Sequence, residues 1–139
     1  MSARSLSLAT LARGLTLILL ALLVVATTGC KTEPVRDLGP STIPGHATRH
    51  QVEQAIIAAG SGLGWAMQVQ APGSIVATRT DGSHRAVVEV SYTTKVFSVR
   101  YKDSLNLKYS SADRTVHKVY NDWVTKLNNA ILTQVSAIR

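Results

Sequence analysis

His84-Arg85-Ala86-Val87-Val88-Glu89-Val90-Ser91-Tyr92 sets Ala86, Val88, Val90 and Tyr92 on one row and Arg85, Glu89 and Ser91 on the other. Successive side chains of a strand point to opposite faces, so this period of two predicts a strand with one buried and one wet face. The pattern extends both ways. Upstream, Trp65, Met67 and Val69 alternate with Gln68 and Gln70 until Pro72-Gly73; Ile75 and Ala77 then open a strand that turns at Asp81-Gly82, a strong hairpin signal. Downstream, Phe97, Val99 and Tyr101 supply a further inward row. Four antiparallel strands are predicted.

The flanking segments change to a helical period. Thr48 and Gln51 have the spacing of a capping box, and Val52, Ala55, Ile56 and Ala59 follow on one helix face, with Gly60 placed to end it. After Lys102–Tyr109, which reads as a turn and a short extension of the sheet, Val116, Tyr120, Trp123, Leu127, Ile131 and Val135 form a second apolar seam. The expected fold is α+β: a two-layer α-β-β-β-β-α arrangement, an antiparallel four-stranded sheet packed against two helices.

The N-terminus has a different character. Arg4 and Arg13 precede an apolar run from Leu15 to Ala26, the charged region and apolar stretch of an export signal. A membrane-spanning helix needs about 20 apolar residues, and this run stops well short of that. Ala26-Thr27-Thr28-Gly29-Cys30 resembles a lipobox, although Thr27 stands where Leu is usual. Residues 1–29 are therefore expected to be a lipoprotein signal peptide, and Cys30, the only cysteine, the lipidated first residue of the mature chain. Multiple acyl chains, at about 0.8 kcal/mol per buried CH₂, would make that attachment effectively permanent. Lys31 stands where an Asp tends to retain lipoproteins at the inner membrane, which points to the outer membrane, facing the periplasm. Residues 30–47, with Pro34, Gly39, Pro40, Pro44 and Gly45 and no apolar period, read as lipidated cysteine and flexible tether. The domain is then expected over 48–139.

Two of the 15 basic residues lie in the signal, leaving 13 against 8 acidic and a net charge of +5 on the mature chain. Arg79, Arg85, Lys95, Arg100 and Lys102 fall in or beside the predicted strands as a candidate basic face toward anionic lipid or glycan. Nucleic acid is not an expected partner, because an exported, tethered protein rarely meets it and no recognition motif is present.

The densest polar cluster is Asp103, Ser104, Asn106, His117, Tyr120 and Asn121. A hydroxyl, a base and a carboxylate invite a small periplasmic hydrolase using Ser104 and His117. Ser104 lacks a nucleophile-elbow motif, however, and Asp, Ser and Asn also stabilise turns. No metal is expected: His46 and His50 are four apart, but His46 lies in the expected tether ahead of the helix cap. No cofactor is expected either, since Gly60-Ser61-Gly62-Leu63-Gly64 lacks the strand-loop-helix setting of a phosphate loop. Tyr101 and Tyr109, beside Arg100 and Lys108, are candidates for an aromatic patch, while Tyr120 and Trp123 sit on the apolar seam.

Gly64-Trp65, His84-Arg85-Ala86, Tyr92, the run Phe97-Ser98-Val99-Arg100-Tyr101 with Asp103, Ser104, Asn106, Leu107 and Tyr109, and Val116-His117 with Tyr120, Asn121 and Trp123 resemble a family of short proteobacterial lipoproteins. The resemblance implies an outer-membrane type of lipoprotein and no particular activity. The leading expectation is a non-enzymatic envelope lipoprotein whose small domain binds a protein or an anionic glycan or lipid.

Overall fold

The computed structural model describes residues 31–139; the signal peptide and Cys30 lie outside the described residues. The elements, in order, are β1 (Thr32–Pro34), β2 (Leu38–Thr42), α1 (Arg49–Gly62), β3 (Ala66–Ala71), β4 (Ser74–Asp81), β5 (His84–Tyr92), β6 (Val96–Leu105), β7 (Thr115–His117) and α2 (Lys118–Ser136). One antiparallel five-stranded sheet has the order β2-β6-β5-β4-β3, and β1 pairs with β7 in a separate two-stranded ribbon.

The core follows from the period of two. Ile75 lies opposite Val90 and Val90 opposite Val99, while Ala77 lies opposite Val88 and Val88 opposite Tyr101. These rows share one hydrophobic cluster with Val52 and Ile56 of α1 and Tyr120, Val124, Leu127, Ile131 and Val135 of α2. The helices therefore bury their apolar sides against one face of the sheet.

Local signals act as the sequence predicts at several ends. The Thr48 Oγ1 accepts the Gln51 N–H at 3.2 Å and the Gln51 Oε1 accepts the Thr48 N–H at 2.9 Å, completing the capping box. The helix does not stop at Gly60, which stays helical and buried with the Met67 side chain packed against it. It ends instead at Leu63, followed by Gly64 at a φ of +81°. The Asp81-Gly82 hairpin forms between β4 and β5. The seam of α2 was expected from Val116, but that residue is buried in β7 and His117 caps the helix.

The largest departure from expectation is residues 30–47, whose described part is folded. Thr32, Glu33 and Pro34 pair with His117, Val116 and Thr115, and the Val35 N–H donates to the Arg114 carbonyl at 2.8 Å. β2 then adds a fifth strand along the edge of β6, the Ile43 N–H reaches the Lys95 carbonyl at 2.7 Å, and the side chains of Ile43 and Ala47 are buried. The compact unit accordingly runs Thr32–Arg139 rather than 48–139. An edge strand is held by backbone hydrogen bonds on one side and tolerates Pro, Gly and bulges, so it need not show an apolar period. β2 has a register shift between Leu38 and Ser41, with Gly39 at a φ of +101° packed onto Phe97 and Ser98 too closely to admit a side chain.

Candidate functional site

The polar residues singled out in the sequence are divided among separate structural tasks. Asn121, 1 % exposed on the first turns of α2, accepts the Arg36 N–H on Oδ1 at 3.0 Å and donates through Nδ2 to the Pro34 carbonyl at 2.9 Å. A second acceptor, Glu33 Oε2, lies 3.4 Å from the same nitrogen. A buried amide thus satisfies backbone groups of the segment joining β1 to β2, which would otherwise be orphaned. Asn106 holds a φ of +56° beyond the end of β6 and donates to the Ser83 carbonyl at 2.8 Å, tying the β4–β5 turn to that corner.

Ser104 and His117 have different partners. The Ser104 Oγ bonds the Tyr101 hydroxyl at 2.9 Å. His117 is the N-cap of α2, its Nδ1 accepting the Val119 N–H at 3.2 Å while its backbone N–H donates to the Leu107 carbonyl at 2.7 Å. In a Ser-His-Asp relay the imidazole donates an N–H to the carboxylate that orients it. Here Nδ1 is the acceptor, and Asp103 lies on the sheet surface with its Oδ2 3.8 Å from Arg85. The arrangement fixes a turn and a helix end.

Three tyrosines meet at this corner. Tyr101 stacks on Tyr109 with ring centroids 4.3 Å apart and planes 19° apart, and meets Tyr120 edge-on at 5.5 Å. Tyr109 is exposed, Tyr101 half-buried and Tyr120 fully buried. Burial pushes the Tyr120 phenol well above its ordinary range, with Asp37 and Tyr101 acting in the same direction and Arg114 opposing. Among the described residues its hydroxyl has no hydrogen-bond partner. Burial also raises the Tyr101 phenol, against the bond to Ser104. Arg114 pairs with Asp37 at 3.0 Å beside this corner, and Asp37 also accepts the Tyr101 N–H at 3.0 Å.

The candidate basic residues do not form one face. Arg85 and Arg100 stand on the open face, where Arg100 lies opposite Glu89, and Lys102 falls at the register shift of β6. Lys95 is in the β5–β6 turn, with Nζ 3.3 Å from the Gly45 carbonyl. Arg79 shares the row of Ile75 and Ala77 and is turned toward the core: its guanidinium lies 5.0 Å from the centroid of Trp123 and donates through Nη1 to the Leu63 carbonyl. The spacing 75, 77, 79 was visible in the sequence, and it carries the inward row one residue further than the apolar residues do.

Among the described residues no group of three or more His, Cys, Asp or Glu side chains is placed to hold a metal ion, and no helix is long and apolar enough to cross a membrane. No family model, curated protein or solved structure matches the chain.

Proposed function

We propose that this is a lipid-anchored protein of the cell envelope, most simply at the periplasmic side of the outer membrane, whose folded domain is a non-enzymatic binding module. The observation that carries the module half is the use of His117 Nδ1 as a helix cap, together with the separate engagement of Ser104 by Tyr101 and the placing of Asp103 beside Arg85. The polar groups that chemistry would need are occupied in building the corner. The anchor half rests on the export signal, the lipobox-like segment and the single cysteine.

Cys30 is two residues from Thr32, where β1 starts, a link that can reach at most about 7 Å. An acyl group on Cys30 would hold the domain close to the lipid surface. The test is fractionation and palmitate labelling of the wild type and Cys30→Ala. The wild type is expected in membranes and labelled, and the variant soluble and unlabelled. Label retained by Cys30→Ala would overturn the anchor. Ester or amide turnover by the purified protein that disappears in Ser104→Ala, with the fold intact, would overturn the module.

A further inference from the structure

The five-stranded sheet ends on β2 at one side and on β3 at the other, and the two edges are built differently. β2 has Pro40 at its centre, a register shift between Leu38 and Ser41, and Gly39 at a positive φ. Pro lacks an N–H and a bulge twists an edge away from a partner, so both features keep an edge from pairing. β3 has neither along Ala66-Met67-Gln68-Val69, which runs in regular register with β4 before a shift between Val69 and Ala71. Among the described residues β3 has a neighbour on one side only. Alternate backbone N–H and C=O groups therefore point away from β4.

The side chains of this edge are open as well. All its residues except Met67 are exposed, and Val69 is 47 % exposed although it lies opposite the fully buried Ile75 on the core row. The core row thus continues to the edge and is left uncovered there. The flank is also neutral. Residues 54–78 contain no Asp, Glu, Lys or Arg, and they span most of α1, all of β3 and the first part of β4. The mature chain otherwise carries 13 basic against 8 acidic residues, so two copies repel over most of their surface. On this flank they bring no like charges together.

We infer that β3 is a self-pairing edge, to which a second copy of this chain adds its own β3 in the antiparallel sense, joining the two five-stranded sheets. Residues paired directly across an antiparallel ladder lie on the same face, so the two-fold axis passes between one residue and its own copy. Centring on Gln68 uses the regular part of the strand. Gln68 then meets Gln68, Met67 meets Val69 on the core side, and Ala66 meets Gln70 on the open side, a match of apolar with apolar and neutral with neutral. An acidic partner would gain nothing from this flank, whereas a second basic copy needs its neutrality. The inference goes beyond the anchor and the binding module and depends on neither.

Disulfide trapping in native membranes tests it. Paired Cα atoms of antiparallel neighbours are about 4.5–5.5 Å apart, within the span of a disulfide. Under mild oxidation Gln68→Cys is expected to give a linked homodimer in high yield, and Thr42→Cys, on the β2 edge, little. Val69→Lys, a change at a position half open to solvent, should lower the Gln68→Cys yield by roughly tenfold or more. In the unaltered protein, the β3 amides that point away from β4 should be protected from exchange when concentrated and lose that protection on dilution.

The wild type, whose only cysteine is Cys30, is the control. A disulfide in it marks an unlipidated Cys30 and counts against the anchor alone, and the same variants are then compared in Cys30→Ala. Equal yields at Gln68 and Thr42, a yield undiminished by Val69→Lys, or a mixed disulfide with another protein in place of the homodimer would overturn the self-pairing edge. The exchange measurement needs no variant, so concentration-independent exchange along β3 overturns it even if the substituted chains fold poorly.

Discussion

The strap of residues 32–47 and the meander from β3 to β6 are both β structure, yet they are held in different ways. The meander buries a regular row on each central strand, with Ile75, Ala77, Ala86, Val88, Val90, Phe97 and Val99 almost inaccessible to solvent. The strap buries only Ile43 and Ala47; the rest is secured by backbone bonds to β6 and β7 and by the amide of Asn121. Side-chain burial writes a period into the sequence. Pairing through the backbone does not, and a polar residue 85 positions away, such as Asn121 for Arg36, leaves no local trace.

If this contrast is right, damage to the common core should cost most and should release both regions together. Ile131→Ala, at a fully buried position of α2, is expected to destabilise the domain by about 2–5 kcal/mol, read from denaturant midpoints. A smaller and more local effect is expected from Asn121→Ala. It orphans the Arg36 N–H and the Pro34 carbonyl, a loss of about 1–3 kcal/mol, and should loosen the strap while the meander keeps its near-native spectrum. Loss of the meander at the same denaturant concentration as the strap would break the distinction.

The same contrast explains what could be read in advance. The capping box at Thr48, the hairpin at Asp81-Gly82 and the rows of β5 and β6 are local signals, visible in a few adjacent residues. The fifth strand was hidden because Gly39 and Pro40, which read as tether residues, are tolerated at a sheet edge. Candidate polar residues were recognisable by type. Their partners were not, because Ser104 bonds Tyr101, His117 caps its own helix, and Asn121 bonds the strap. Arg79 follows the inward row through its phase with Ile75 and Ala77, although its charge alone suggests a surface position.

The tyrosine corner sharpens the comparison in the opposite direction. Tyr120→Phe removes a buried hydroxyl that bonds nothing among the described residues, so stability at neutral pH should change by less than about 1 kcal/mol, toward gain rather than loss. At alkaline pH its effect should grow. Folding holds Tyr92, Tyr101 and Tyr120 above the ordinary phenol value of 10.0, so their contribution is complete below that pH and declines as the unfolded chain ionises above it. A thermal-melt series across pH 9 to about 11 should show a shallower decline in Tyr120→Phe than in the wild type. The smallest effect belongs to the surface. Arg85→Ala removes an exposed pair at 3.8 Å and should alter the melting midpoint by no more than the equivalent of about 1 kcal/mol.

Amide hydrogen exchange at Val35, Arg36 and Ile43 tests most directly whether the polar residues bind the strap into the fold. Their N–H groups donate to the Arg114 carbonyl, the Asn121 side chain and the Lys95 carbonyl respectively. In the mature wild-type protein all three should be protected, and in Asn121→Ala protection at Arg36 should fall first, with Ile43 still protected. Exchange of all three at unstructured-chain rates in the wild type would return residues 32–47 to the role of a tether and contradict the structural assignment of Asn121.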